Sequence, residues 1–225
     1  MTAPRRRKKD ADEKLLFETE EGEAASPAVR GNWAGDEDPS QEMYRELLLP
    51  KKTIQLAVSG PVLITEVERN IIDTPSFQRL RGIRQLGAAC QVYPTALHTR
   101  FDHSIGTMGV VDQMIRSIRT NEHNSDEERR ITREEETLAR LYGLLHDVPH
   151  VPFGHTIEDE LGILERHDKN KPRIEHFLGE TSEIGSIIVK NFGRHFHKLF
   201  MAVYSWDENP AVSTSSGTMV AMVSQ

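Results

Sequence analysis

Cysteine is almost absent. Cys90 stands alone in 225 residues, so no disulfide can form within the chain. A single thiol fits a reducing compartment, and the expected location is cytoplasmic. No run of about 18 apolar residues occurs, so the sequence predicts no membrane-spanning helix. The N-terminus is charged but has no apolar stretch after it, which excludes the form of a secretory signal. Positive charge is also in deficit. Charged residues make up 28% of the chain and the net charge is −7, which argues against a general nucleic-acid-binding surface and leaves a local basic pocket open. The length suits one domain of ordinary size with room for a core.

What is present divides into three parts. Residues 1 to about 50 hold the basic run Arg5 to Lys9 and an acidic, Ala/Gly-rich segment around Glu18 to Asp38. Little apolar burial is available there to offset ordering entropy, so a disordered tail is expected. A domain over residues 51–200 follows, then an irregular tail over 201–225. Thr53 to Ala57 and Val62 to Ile64 flank Ser59-Gly-Pro61 and predict a small β-hairpin. Thr65 and Glu68 have capping-box spacing, and Thr74-Pro75 opens a second helix whose Phe77, Leu80, Ile83 and Leu86 share one face before Gly87. A helix beginning at His103 or Ser104 carries Ile105, Met108, Val111, Met114, Ile115 and Ile118 as its buried stripe. Thr120 to Arg130 is polar and predicts a loop. Thr132 and Glu135 cap another helix with Leu138, Leu141, Leu144 and Leu145, and a last one runs through Ile184, Ile187 and Ile188. The expected fold is mainly α.

Chemistry-bearing residues concentrate in the middle. Arg100-Phe-Asp-His103, His146-Asp147 and Pro152-Phe-Gly-His155 put three imidazoles and a carboxylate where a divalent cation would find nitrogen and oxygen ligands. One histidine near an apolar face is ordinarily a hydrogen-bonded core or surface group. His146 and Asp147 are different, because they end an apolar helix together, where Pro149 and Pro152 forbid regular continuation. The negative end of the helix dipole lies there too and favours a cation. His103, on a different helix, suits a site pooled between packed helices.

The runs His98-Thr-Arg-Phe-Asp-His-Ser-Ile-Gly106 and Leu144-Leu-His-Asp-Val-Pro-His-Val-Pro-Phe-Gly-His155 resemble the HD-domain phosphohydrolases. Phe77-Gln-Arg-Leu-Arg-Gly-Ile-Arg-Gln-Leu-Gly87 and Val92-Tyr-Pro94 extend the similarity toward the deoxynucleoside triphosphate triphosphohydrolase-like branch. The resemblance covers about residues 52–180. It implies an HD-domain helical bundle, a divalent metal (Mg, Mn, Fe, Co, Ni or Zn) and a nucleotide substrate; a homo-oligomer is a further expectation. His103, His146 and Asp147 would ligate the metal. Arg100 would contact phosphate, with a salt bridge to Asp102 or another carboxylate as the competing role. His150 and His155 would face the phosphate chain or attacking water, or orient other ligands. His167 would act as general acid with Glu158 orienting it, and Gln85 and Leu86 would line the sugar pocket. His98 would be supporting.

The pattern also departs from that family. Its fourth ligand is an aspartate in a later helix, within an Asp-Leu-Leu-Asp-Tyr-like segment, and nothing here matches it. Asp207 is the only aspartate after Asp168 and sits ahead of Pro210. The sequence therefore reads as C-terminally truncated relative to the family. Phe192, Phe196, Leu199 and Phe200 are then expected on an exposed apolar face. Two functions remain: hydrolysis of deoxynucleoside triphosphates to deoxynucleoside and triphosphate by metal-activated water, or an impaired protein that binds nucleotide or a homologous partner. A nucleoside monophosphate or other phosphoester is a third substrate class.

Overall fold

A computed structural model describes residues 39–121 and 131–205. Residues 1–38 of the expected tail, most of the expected 120–130 loop, and Asp207 lie outside the described residues. The order is α1 (Pro39–Leu47), β1 (Pro50–Leu56), β2 (Gly60–Thr65), α2 (Glu66–Ile72), α3 (Pro75–Gln78), α4 (Arg100–Asn121), α5 (Arg133–Leu145), α6 (Lys171–Leu178) and α7 (Glu183–Tyr204). The fold is mainly helical, with one two-stranded sheet.

β1 and β2 form the expected antiparallel hairpin, with Thr53 opposite Leu63 and Ile54 opposite Val62. At the turn Gly60 takes φ +72°, a conformation glycine adopts without a Cβ penalty. Both predicted capping boxes are formed: Thr65 with Glu68 opens α2, and Thr132 with Glu135 opens α5. Thr74 caps α3, with Pro75 in its first turn.

α4 and α5 run antiparallel. Arg119, near the end of α4, pairs with Glu136 in the first turn of α5 at 2.8 Å, while His103 and His146 meet at the other end. Gly143 lets the helices approach closely, because a Cβ there would lie 3.3 Å from Met108 Cα and 3.1 Å from Val111 Cγ2. This crossing fixes which residues of the two helices share an end. Arg140 ties α5 to its neighbours. It gives a forked pair of hydrogen bonds to Glu68, at 2.8 and 2.9 Å, and a further bond to Asp112. All three side chains are largely withdrawn from solvent, so this is a buried ionic cluster whose partners depend on one another.

Several expectations are corrected. Residues 39–49 were expected in the tail. They instead begin with helix α1, whose Tyr44 is buried and stacks on Phe192 at 5.9 Å between centroids. The face expected to be open is closed: Phe196 and Phe200 are buried, and Phe192 and Leu199 pack partly buried against the same core. The cause is a break in α7. Gly193 has φ +85° and redirects the helix, and in its second half Phe196 meets Tyr44 of α1 and Tyr204 meets Tyr142 of α5. α7 also continues to Tyr204, past the expected end of the domain at 200.

Smaller differences follow from local chemistry. α3 gives way after Gln78 to a 3-10 turn at Arg79–Gly82, and Ile83 is extended. Phe77, Leu80 and Ile83 are still buried, but Leu86 is 54% exposed. α4 starts at Arg100 rather than His103, because Thr99 and Asp102 cap each other reciprocally. Met114 and Ile118 do not complete its buried stripe: Met114 is exposed and Ile118 half-buried. α4 also runs through Thr120 to Asn121, into the predicted loop. No helix among the described residues is long and apolar enough to cross a membrane.

Candidate metal centre

The site lies where α4 begins and α5 ends. His103 is in the first turn of α4. His146 is the C-cap of α5, and Asp147 opens the turn beyond it. His103, His146 and Asp147 bring one potential ligand atom each to within 4.8 Å of one another. His146 Nε2 is 3.2 Å from His103 Nε2. Asp147 Oδ1 is 3.5 Å from His146 Nε2, and Oδ2 is 3.8 Å from His103 Nε2. Two ligand atoms each about 2.1 Å from an ion stand about 3.0 Å apart at a right angle and about 3.4 Å apart in a tetrahedron. The observed spacings are near that range.

The donor chemistry fits a cation as well. His146 Nδ1 lies 2.9 Å from the carbonyl oxygen of Gly143. A carbonyl only accepts, so Nδ1 carries the proton and Nε2 presents a bare lone pair to the site. Burial pushes the His103 imidazole below its ordinary pKa, which keeps it neutral and able to ligate. Burial acts to raise the Asp147 carboxyl, but its neighbours His150, His146 and Arg100 hold it well below the usual carboxylate range. An ionised carboxylate beside two imidazoles suits a borderline divalent cation.

Asp147 is the hub. Arg100, 1% exposed, donates from Nη1 to Asp147 Oδ2 at 2.7 Å. Asp102 does not compete for Arg100, because it accepts from the backbone and hydroxyl of Thr99. His150, fully buried, lies 3.4 Å from Asp147 Oδ1 through Nε2 and 3.8 Å from Glu158 Oε2 through Nδ1. Neither separation has hydrogen-bonding geometry, so both ring nitrogens of His150 lack a partner. Burial pushes this imidazole down to about 4.

A second layer of histidines surrounds that ring. His167 stacks on His150 with centroids 3.4 Å apart, and His155 meets it edge-on at 4.9 Å. His167 Nδ1 donates to Glu158 Oε2 at 3.1 Å, and Arg173 donates to Glu158 Oε1 at 2.7 Å. Asp147, His150 and His167 also lie close enough to form a second ligand group. His155 is exposed and pairs with Asp159 at 3.0 Å. Glu158 sits in a single π-helical turn, Thr156–Glu160, which the sequence reading does not anticipate. Gln85 and Leu86 stand outside these groups. Gln85 Oε1 is buried without a partner, and Leu86 is exposed.

Three residues that matter to this geometry escape the sequence reading. Tyr204 donates its hydroxyl to the carbonyl of His146 at 2.7 Å. Arg79 donates to the carbonyls of Val148 and His150. Arg173 fixes Glu158. Tyr204 and Arg79 act on backbone carbonyls, which carry no sequence pattern that marks them as partners, and Arg173 stands 15 residues from Glu158.

Residues 100–209 match the model of the HD domain family. The chain is 41% identical over 107 residues to an uncharacterized protein of Methanocaldococcus jannaschii, covering 48% of this chain and 21% of the relative. It is 37% identical over 118 residues to the deoxynucleoside triphosphate triphosphohydrolase SAMHD1 homolog of Dictyostelium discoideum, covering 51% and 22%. Against the Bos taurus deoxynucleoside triphosphate triphosphohydrolase SAMHD1 the identity is 35% over 138 residues, covering 61% and 21%. The matched stretch thus spans about a fifth of the length of these curated relatives. Among solved structures, a hypothetical protein from Aquifex aeolicus matches with TM-score 0.56 and 28% identity, covering 76% of this chain and 41% of the other.

Proposed function

We propose that this chain is a metal-dependent phosphohydrolase acting on deoxynucleoside triphosphates, with deoxynucleoside and triphosphate as products. The observation that carries the reading is the convergence of His103, His146 and Asp147 from two helices on one small volume. The activity named for the Dictyostelium and bovine relatives supports the substrate class. When bound, a divalent cation supplies positive charge to phosphate oxygen and lowers the pKa of water toward neutrality.

The chain's own residues supply the rest. Arg100 offers a permanently charged donor beside the ligands, and its buried Nε has no partner, so an arriving phosphate oxygen satisfies it. His150 likewise has two unsatisfied nitrogens that an oxygen ligand would engage. Glu158 holds His167 by Nδ1, which leaves Nε2 as the atom that can carry a proton to a leaving 5′ oxygen. His155, exposed at the rim, reaches the outer phosphates. Gln85 and Leu86 contact the sugar.

The test is a substrate panel. The purified chain is loaded with Mn2+, Mg2+, Co2+ or Zn2+ and offered each dNTP, nucleoside monophosphates and simple phosphoesters. Products are read by chromatography and 31P NMR. Release of triphosphate, lost in His146→Ala, is expected. A cation-loaded sample that leaves every dNTP intact overturns the reading. The second reading, nucleotide binding without turnover, is favoured by the Arg100–Asp147 ion pair, which already occupies one carboxylate oxygen. Saturable dNTP binding with no product identifies that case.

A further inference from the structure

The turn that carries Asp147 and His150 is held by its backbone from outside. Three alternate carbonyls along it are engaged by distant side chains. That of His146 accepts from Tyr204 Oη at 2.7 Å, that of Val148 accepts from Arg79 Nη2, and that of His150 accepts from Arg79 Nη1 at 2.8 Å. One guanidinium therefore spans the two carbonyls on either side of Pro149. Proline has no N–H of its own to tie this stretch down, and the helical ladder has already ended at Leu145.

Arg79 is itself fixed. Its guanidinium lies over the Phe177 ring, 4.2 Å from the centroid. Burial, together with the nearby Arg173 charge, pushes its pKa down to about 10. Removing a cation from water without a carboxylate partner is costly. Here the compensation is two carbonyl dipoles of the turn and the aromatic face of Phe177 in α6.

We propose that Arg79 is a positioning residue for the candidate metal centre: its forked donors set the path of residues 148–150, so that Asp147 and His150 face the same volume. This rests on the metal-centre reading of His103, His146 and Asp147. Lysine cannot replace it, because an ammonium lacks the planar fork that bridges two carbonyls in fixed directions. Groups that orient ligands commonly change metal affinity about 10–100-fold when removed.

The experiment compares wild type, Arg79→Lys and Ile71→Val. Ile71 is a fully buried core residue of α2, remote in sequence from the turn, and gives a control for lost stability alone. Mn2+ affinity is measured by calorimetry, Co2+ binding by visible absorption and folding by thermal melting. The proposal expects Arg79→Lys to bind Mn2+ at least about tenfold more weakly and to give an altered Co2+ spectrum. Ile71→Val should bind like wild type despite a lowered melting temperature. Wild-type affinity and spectrum in a folded Arg79→Lys overturn the proposal.

If Arg79→Lys does not fold, Phe177→Leu takes its place, since it removes the ring beneath the guanidinium and leaves both donors. Weaker Mn2+ binding is then expected, and unchanged binding overturns the proposal. If wild type itself binds no divalent cation, the metal-centre reading fails separately. Arg79 is then judged from the imidazole NMR signals of His146 and His150. These should move in Arg79→Lys and stay put in Ile71→Val, and unmoved signals overturn the positioning role.

Discussion

Arg100 Nη1 stands 2.7 Å from Asp147 Oδ2, and both side chains are buried. The guanidinium comes from the first turn of α4 and the carboxylate from just beyond α5, so the pair joins the two helices at the site itself. It also gives Asp147 a positive partner in the place where a divalent cation would supply one. The protein can thus keep a buried carboxylate ionised whether or not a metal is bound, and a bound cation would compete with Arg100 for that carboxylate.

That competition is measurable in Arg100→Met. Breaking a buried ion pair by removing one partner leaves the other uncompensated, and stability in the presence of chelator should fall by about 3–5 kcal/mol. Mn2+ should then raise the melting temperature of Arg100→Met by more than it raises that of wild type, because the cation meets an unpartnered carboxylate. Equal Mn2+ shifts in the two proteins would show that Arg100 and metal do not compete for Asp147.

Ligand identity is separable from mere proximity. A cation at 100 times its Kd stabilises a folded protein by about 2.7 kcal/mol relative to chelator. His103→Gln, His146→Gln and Asp147→Asn should each abolish most of that increment. His155→Gln should retain it, since His155 is exposed and paired with Asp159 rather than joined to the triad. Urea unfolding with and without EDTA reads all four variants. Retention of the full Mn2+ increment in His146→Gln would remove His146 from the ligand set.

The second half of α7 offers a test of packing. Phe196 is buried against Tyr44 and Phe192, with ring centroids at 6.0 and 4.8 Å. Truncating such a side chain costs about 3–5 kcal/mol. Phe196→Ala should therefore lower the urea midpoint sharply. If Phe196 stood on an open apolar face, the same change would leave stability nearly untouched and improve solubility.

That contrast shows where sequence is legible and where it is not. The capping pairs Thr65–Glu68 and Thr132–Glu135 are local, since donor and acceptor sit three residues apart, and they locate two helix starts correctly. His146-Asp147 at the end of an apolar helix is local too. His103, on another helix, joins them through the family resemblance of its own short motif. The fate of Phe196 is different. It depends on a single glycine, Gly193, turning α7, and on a helix at 39–47 arriving to cover it, neither of which leaves a periodic signal. Leu86 fails for a related reason. Its spacing from Phe77, Leu80 and Ile83 is helical, but the helix loosens into a 3-10 turn after Gln78, and the 3.6-residue period no longer assigns a face. Arg79 and Tyr204 act on backbone carbonyls, which every residue has, so sequence cannot single out the ones they choose.

Glu158 gives the site a pH signature. Burial works to raise its carboxyl, but the hydrogen bonds from His167 and Arg173 more than offset this and leave it below the usual range. A carboxyl whose folded pKa lies below its unfolded value of about 4.3 stabilises the fold above that value. The contribution is lost as pH falls through the lower folded value, because both states then bind the proton. Glu158→Gln keeps the shape and removes the charge. Urea unfolding of the two proteins should show wild type more stable by a constant margin from pH 7 down to about 5. That margin should shrink below about pH 4.3 and close in stronger acid. A margin that stays the same into strong acid would mean that Glu158 stabilises the turn by shape alone, and that its charge does not hold His167 in place.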